Sequence, residues 1–261
     1  MERIELTRGS VEIYDFDAIK LHAYASKNAL SEECFVLEKG DKLVMIENVS
    51  FFNNIKELAS YVRDLKKELC GVIISYHAAG GTCFQNVKKY STIEAMEYAK
   101  NGPGKIMVDE FSTTFGKDFD SAITEPTDII LENKINIGDI EFIIKRNNEA
   151  FDIEIPEINS IYIHMLGSDC HSIIFGEKHA DLVIDNLKSY IAKKYAFILT
   201  SHHVPENLQD AEIKIAYLER LKRFAKMSHS AQDFKNSLKN EYPNYFGENY
   251  LDMTASYFFK I

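Results

Sequence analysis

The stretch from residue 33 to residue 75 restricts the fold more than any other part of the chain. Residues 33–38 and 42–47 are apolar runs separated by Lys39-Gly40-Asp41, a hairpin with a Gly-Asp turn signal. Ile55, Leu58, Ala59, Val62, Leu65 and Leu69 then recur at helical spacing over residues 53–69, with Asn53 or Asn54 as cap and Gly71 as stop. Val72-Ile73-Ile74 follows as a short buried strand. Strand, helix, strand in this order predicts a crossover unit and an α/β fold.

The rest of the chain extends this pattern. Strands are expected at 128–131, 140–145, 150–155, 160–165, 172–175 and 196–200. Helices are expected at 109–115, 178–194, from Pro205-Glu206 onward, and from Ser230 through Lys239. The 261 residues, 46% of them apolar, supply a sizeable core, and we expect one domain over 1–261 with a helical C-terminal part at about 205–261. The aromatic cluster Tyr242, Tyr245, Phe246, Tyr250, Tyr257, Phe258 and Phe259 reads as helix packing or as a surface for a homo-oligomer. Glu32-Glu33 reads as solvated surface.

Several function classes fall away. No apolar run approaches the roughly 20 residues of a membrane helix, so no membrane partner is expected. Met1-Glu2-Arg3-Ile4-Glu5 does not resemble a secretory signal, which predicts a cytoplasmic location. The net charge is −10 and the longest basic runs are Lys pairs, a poor match for nucleic acid. Cys34, Cys70, Cys83 and Cys170 contain no CxxC, so neither a disulfide framework nor a zinc ribbon is expected.

Five of the eight histidines sit at or just after an expected strand: His77, His164, His171, and the pair His202-His203. Loops at strand ends converge at one edge of a sheet, which is where α/β proteins build sites. Imidazole is the commonest metal ligand and the usual proton carrier near neutral pH. The pattern therefore points to one pocket.

Ser75-Tyr76-His77-Ala78-Ala79-Gly80-Gly81 follows a buried strand and ends in a glycine pair. Here the chain resembles the metallo-β-lactamase superfamily, whose first metal motif, HxHxDH, stands at this junction. Met45-Ile46-Glu47 resembles that family's Leu-Ile-Asp segment. Ser201-His202-His203 with Pro205 resembles its late Gly-His-Gly-Pro loop, and the helix from Glu206 with Tyr242-Pro243 resembles a hydrolase-like branch. The departures are equally specific. Only His77 remains of the first motif, Arg146-Asn147-Asn148-Glu149 contains no histidine, and the family's bridging Asp falls near His164-Met165, with Asp169 and His171 just beyond.

The resemblance implies an αββα sandwich, two mixed sheets face to face with helices outside. It also implies a metal-dependent hydrolase-like protein acting on a small-molecule substrate. Zinc or another divalent transition metal, held by His77, His202, His164 and His171, would form a rewritten, mononuclear site, with Asp169 or His203 carrying protons. Two other readings stay open. One is a non-catalytic ligand-binding or sensor protein on the same scaffold. The other is a Cys83 or Cys170 nucleophile activated by His77 or His171.

Overall fold

The computed structural model describes residues 1–147 and 149–259, so Asn148 lies outside the described residues. The chain forms two compact units, one of Met1–Met165 with Leu199–Pro205, the other of Leu166–Ile198 with Glu206–Ile261.

The first unit begins with three antiparallel strands, β1 (Glu2–Glu5), β2 (Gly9–Phe16) and β3 (Ile19–Ser26). The expected hairpin follows as β4 (Glu33–Lys39) and β5 (Lys42–Ile46), with Gly40 at φ +60° in its two-residue turn. Helix α1 (Phe52–Asp64) crosses over to β6 (Glu68–Ile73), which pairs parallel to β5. Ile55, Leu58 and Val62 press α1 onto Tyr24, Val36, Leu43, Met45 and Val72. Leu58 is fully buried, and truncating such a leucine to alanine typically costs about 2–5 kcal/mol.

Gly71 does not stop the helix. The chain turns at Lys66, φ +55°, and Gly71 lies inside β6, where a Cβ would meet the Tyr90 ring at 2.5 Å. The glycine provides close approach rather than a cap. Parallel strands β7 (Lys89–Ser91) and β8 (Asp128–Ile129) complete an eight-stranded mixed sheet in the order β1 to β8.

Between β7 and β8 the expected short helix is longer and doubled, as α2 (Ile93–Asn101) and α3 (Pro103–Phe115). The Thr92 side chain caps α2 by accepting from the Ala95 N–H, and Pro103 opens α3 at a position where its missing N–H costs nothing.

The second sheet has the order β14-β13-β12-β11-β10-β9. Its members are β9 (Lys134–Ile137), β10 (Ile140–Arg146), β11 (Phe151–Ile155), β12 (Ser160–Ile163), β13 (Phe197–Thr200) and β14 (His203–Glu206). Within the first unit the two sheets meet through Phe35 against Tyr162 and through the Ser75 hydroxyl, which donates to the Phe151 carbonyl.

The second unit carries α4 (Glu177–Lys193), α5 (Leu208–Met227), α6 (Ala231–Glu241) and α7 (Glu248–Phe259). Two expectations fail here. Residues 172–175 form no strand, and Pro205-Glu206 ends β14 instead of opening a helix. Asn207 makes the cap for α5, in a reciprocal capping box with Asp210. Pro205 lies in β14, which is a sheet edge, the place where proline is tolerated in a sheet. Among the described residues, no helix is long and apolar enough to cross a membrane.

Candidate metal centre

Strand β5 is apolar and fully buried from Leu43 to Ile46, and it ends on Glu47, which is also fully buried and has φ +64°. An ionised carboxylate there must be met by donors. The loop after β6 supplies them. Glu47 accepts the backbone N–H groups of Ser75 at 3.1 Å, Tyr76 at 2.7 Å and His77 at 3.2 Å. Tyr162, in β12, adds its phenol at 2.8 Å. Burial nevertheless raises the Glu47 carboxyl to about 7, against the four lowering hydrogen bonds.

His77 therefore hangs from a backbone that Glu47 holds. His164 follows β12, and its ring stacks on Tyr76 at 4.7 Å between centroids, 6° from parallel. The His164 carbonyl accepts the Ser201 N–H at 3.0 Å, and the Ser201 hydroxyl is hydrogen-bonded to Tyr162. His202, between β13 and β14, donates its Nδ1–H to the Leu30 carbonyl at 2.9 Å. That bond fixes the tautomer with the Nε2 lone pair free.

These three side chains converge. One ligand nitrogen from each of His77, His164 and His202 lies within 4.8 Å of the others, and the Nε2 atoms of His77 and His202 are 3.0 Å apart. All three imidazoles are held below the ordinary histidine range. His77 is pushed down by burial and then by His202 and His164, His164 to about 3 by burial and then by His202, and His202 by burial. They are neutral at pH 7, the form that binds a metal.

The donor set fits a divalent cation. His202 presents its Nε2 lone pair toward the His77 Nε2, and the buried Nδ1 of His77 has no hydrogen-bond partner. Three neutral imidazoles gathered this closely suit a Lewis acid. Three imidazoles with one open position are a ligand number found in catalytic zinc sites. The group consists of these three side chains among the described residues, with no carboxylate in it.

The other expected site residues stand elsewhere. His171 belongs to the second unit, is 1% exposed, and shares a hydrogen bond between its Nδ1 and the Tyr217 hydroxyl at 3.0 Å. It is not one of the three converging imidazoles. Asp169 is also in the second unit, where its carbonyl accepts the Phe246 N–H. His203 opens β14, and its Nδ1 lies 3.3 Å from the Val204 carbonyl. It, too, is not one of the three converging imidazoles.

The thiols are poorly suited to nucleophilic work. Burial pushes the Cys83 thiol up to about 12 and raises Cys170 as well.

Glu32 and Glu33 are buried, at 3% and 1% exposure, rather than solvated. Glu32 accepts the Ser50 N–H at 3.0 and 3.1 Å, the Ser50 hydroxyl, and the Asn28 amide at 2.7 Å. Asn28 in turn accepts the Leu30 N–H at 3.0 Å, so this network fixes the loop whose carbonyl orients His202. Glu47, Tyr162, Ser201 and Glu32 went unassigned as site residues. The one signal for them was an acid closing an unbroken apolar run at Met45-Ile46-Glu47.

No protein-family model matches the chain, and no curated protein does so. Solved structures do. A metallo-β-lactamase from Pontibacter korlensis aligns with a TM-score of 0.55 at 13% identity, covering 80% of this chain and 99% of that one. The metallo-β-lactamase FIM-1 from Pseudomonas aeruginosa, in its mono-zinc form, aligns at 0.54 and 12%, covering 81% and 96%. The stereoselective inverting sec-alkylsulfatase Pisa1 from Pseudomonas sp. aligns at 0.58 and 13%, covering 91% of this chain and 49% of that longer one. The chain has the metallo-β-lactamase fold.

Proposed function

We propose that the chain is a metal-dependent, hydrolase-like protein that acts on a small molecule through a mononuclear site held by His77, His164 and His202. The observation that carries this reading is the convergence of three neutral imidazoles, one ligand nitrogen of each lying within 4.8 Å of the others. The structural neighbours support it, being β-lactamases and an alkylsulfatase, one of them in a mono-zinc form.

A divalent metal at such a site acts as a Lewis acid and makes water nucleophilic near neutral pH. The chain's own residues do the preparation. Leu30 sets the His202 tautomer, Glu47 fixes the backbone of His77, and Tyr76 stacks against His164. Burial keeps all three rings unprotonated, so no proton must leave before a cation binds.

The test is metal analysis of protein purified without added zinc, followed by titration with zinc and by assay on carboxylic, sulfuric and phosphoric esters and on lactams. Uptake near one equivalent, lost in His77→Ala and His202→Ala, with turnover of one of these bonds, is the expected result. Less than about a tenth of an equivalent, with no uptake on titration, removes the reading. A second reading is a ligand-binding or sensor protein on the same scaffold, favoured by the lack of a carboxylate among the three ligands. It predicts the same metal uptake with no turnover.

A further inference from the structure

Lys89 is 4% exposed, at the start of the three-residue strand β7, where Thr127 holds both its backbone N–H and its carbonyl. Lysine is almost never buried to this degree without a partner, because removing its charge from water is costly. Its ammonium has three donors. One reaches the Gly81 carbonyl at 3.1 Å, and no carboxylate forms an ion pair with it among the described residues. Burial accordingly holds its pKa below the ordinary lysine value.

Asp120 pulls on the ammonium electrostatically but forms no ion pair with it among the described residues. Asp120 is buried, and its oxygens accept the Thr82 N–H at 2.9 Å, the Thr82 hydroxyl at 2.7 Å and the Ala122 N–H at 3.1 Å. Glu125, on the cavity rim, is held by Lys100 at 2.6 Å.

Lys89 instead lines a cavity of about 270 Å³ together with Gly81, Thr82, Gln85 and Thr127. That is far more room than the roughly 30 Å³ one liquid water occupies. The Gln85 amide makes no hydrogen bond among the described residues, which leaves a second donor group at the same wall. Water would satisfy the spare N–H groups but not the charge. An oxyanion satisfies both, since charge-assisted N–H···O⁻ bonds are about twice as strong as neutral ones.

We propose that this cavity binds a small oxyanion, the carboxylate or phosphate group of a small molecule, on the Lys89 ammonium. None of the three histidines lines this cavity, and the proposal stands whether or not the hydrolase reading does.

The experiment uses the full chain stripped of metal. Inorganic phosphate and acetate are titrated separately at constant ionic strength, with binding followed by calorimetry and by the NMR signal of the Lys89 side chain. We expect saturable one-to-one binding of at least one of the two, with a shift of the Lys89 signal, and the tighter of the two names the group. Lys89→Met should abolish binding, and His77→Ala should leave it unchanged. Lys89→Met could fail to fold. The exposed Gln85→Glu change, which places a like charge at the wall, should then weaken binding by about tenfold or more. The proposal is overturned if neither anion binds saturably, if the Lys89 signal stays fixed, or if Gln85→Glu and Lys89→Met bind as the parent does.

Discussion

Tyr162 donates its hydroxyl to the Glu47 carboxylate at 2.8 Å, and through that one bond the three histidine-bearing loops share a support. Glu47 holds the backbone of Ser75, Tyr76 and His77, while Tyr162 stands two residues before His164 and is hydrogen-bonded to Ser201, the neighbour of His202. Replacing Glu47 with alanine leaves one buried and two part-buried N–H groups without this acceptor, at about 1–3 kcal/mol for a buried one where nothing relaxes. We expect Glu47→Ala to lose about 3–5 kcal/mol of stability in urea unfolding, and Glu47→Gln less. Zinc affinity, measured by competition with a chromophoric chelator, should fall about 10–100-fold in the alanine variant. An unfolding midpoint equal to the parent's would remove this positioning role.

The loop that orients His202 offers a milder perturbation. Asn28 accepts the Leu30 N–H and donates to Glu32, so Asn28→Ala loosens the carbonyl that receives the His202 Nδ1–H without touching a ligand. The expected outcome is a loss of about 1 kcal/mol in stability and roughly tenfold in zinc affinity. Equal affinities in parent and variant would mean that the tautomer is fixed by something other than this loop.

The crossover unit and the strand-end position of the histidines were legible because they are properties of period and order, which a sequence displays. Leu43 to Ile46 and Leu58 to Val62 announce their elements by spacing alone. The three converging imidazoles belong to the same legible class, since each follows the C-terminal end of a strand. What stayed hidden depends on partners distant in the chain. Glu32 looks like surface until Ser50 and Asn28 fold around it, and Gly71 looks like a helix stop until the Tyr90 ring lies over it. Residues 172–175 have strand-like composition but no ladder to join. His171, two residues from Asp169, reads like a ligand although its contacts are aromatic, with Tyr217 and Tyr245.

Gly80 tests the loop that follows His77. It has φ +80°, and a Cβ on it would stand 2.3 Å from the Val49 carbonyl oxygen, a backbone atom that cannot turn aside. Gly80→Ala combines a positive-φ penalty with this clash, and we expect it to cost about 2–4 kcal/mol in thermal or urea unfolding. Gly40, in the β4–β5 turn, also has positive φ, at +60°, but nothing within 4 Å of a Cβ, so Gly40→Ala should cost about 1–2 kcal/mol only. The difference between the two isolates the clash. Equal costs would show that the loop after His77 shifts freely.

His171 provides the pH dependence. Burial first, and Lys214 second, push its pKa down to about 4, whereas an unfolded histidine titrates near 6.5. Between these values the unfolded chain carries more protons than the folded one, so stability falls as the pH is lowered. The contribution is complete above about pH 6.5 and drains away toward pH 4, with a slope of up to about 1.4 kcal/mol per pH unit. His171→Gln removes this titration and keeps a polar group against the Tyr217 hydroxyl. Urea midpoints of metal-stripped parent and variant, taken from pH 7 to pH 4.5, should therefore converge as the pH falls, because the other histidines contribute alike to both. Parallel curves would place the His171 proton equilibrium in the folded chain where it is in the unfolded one.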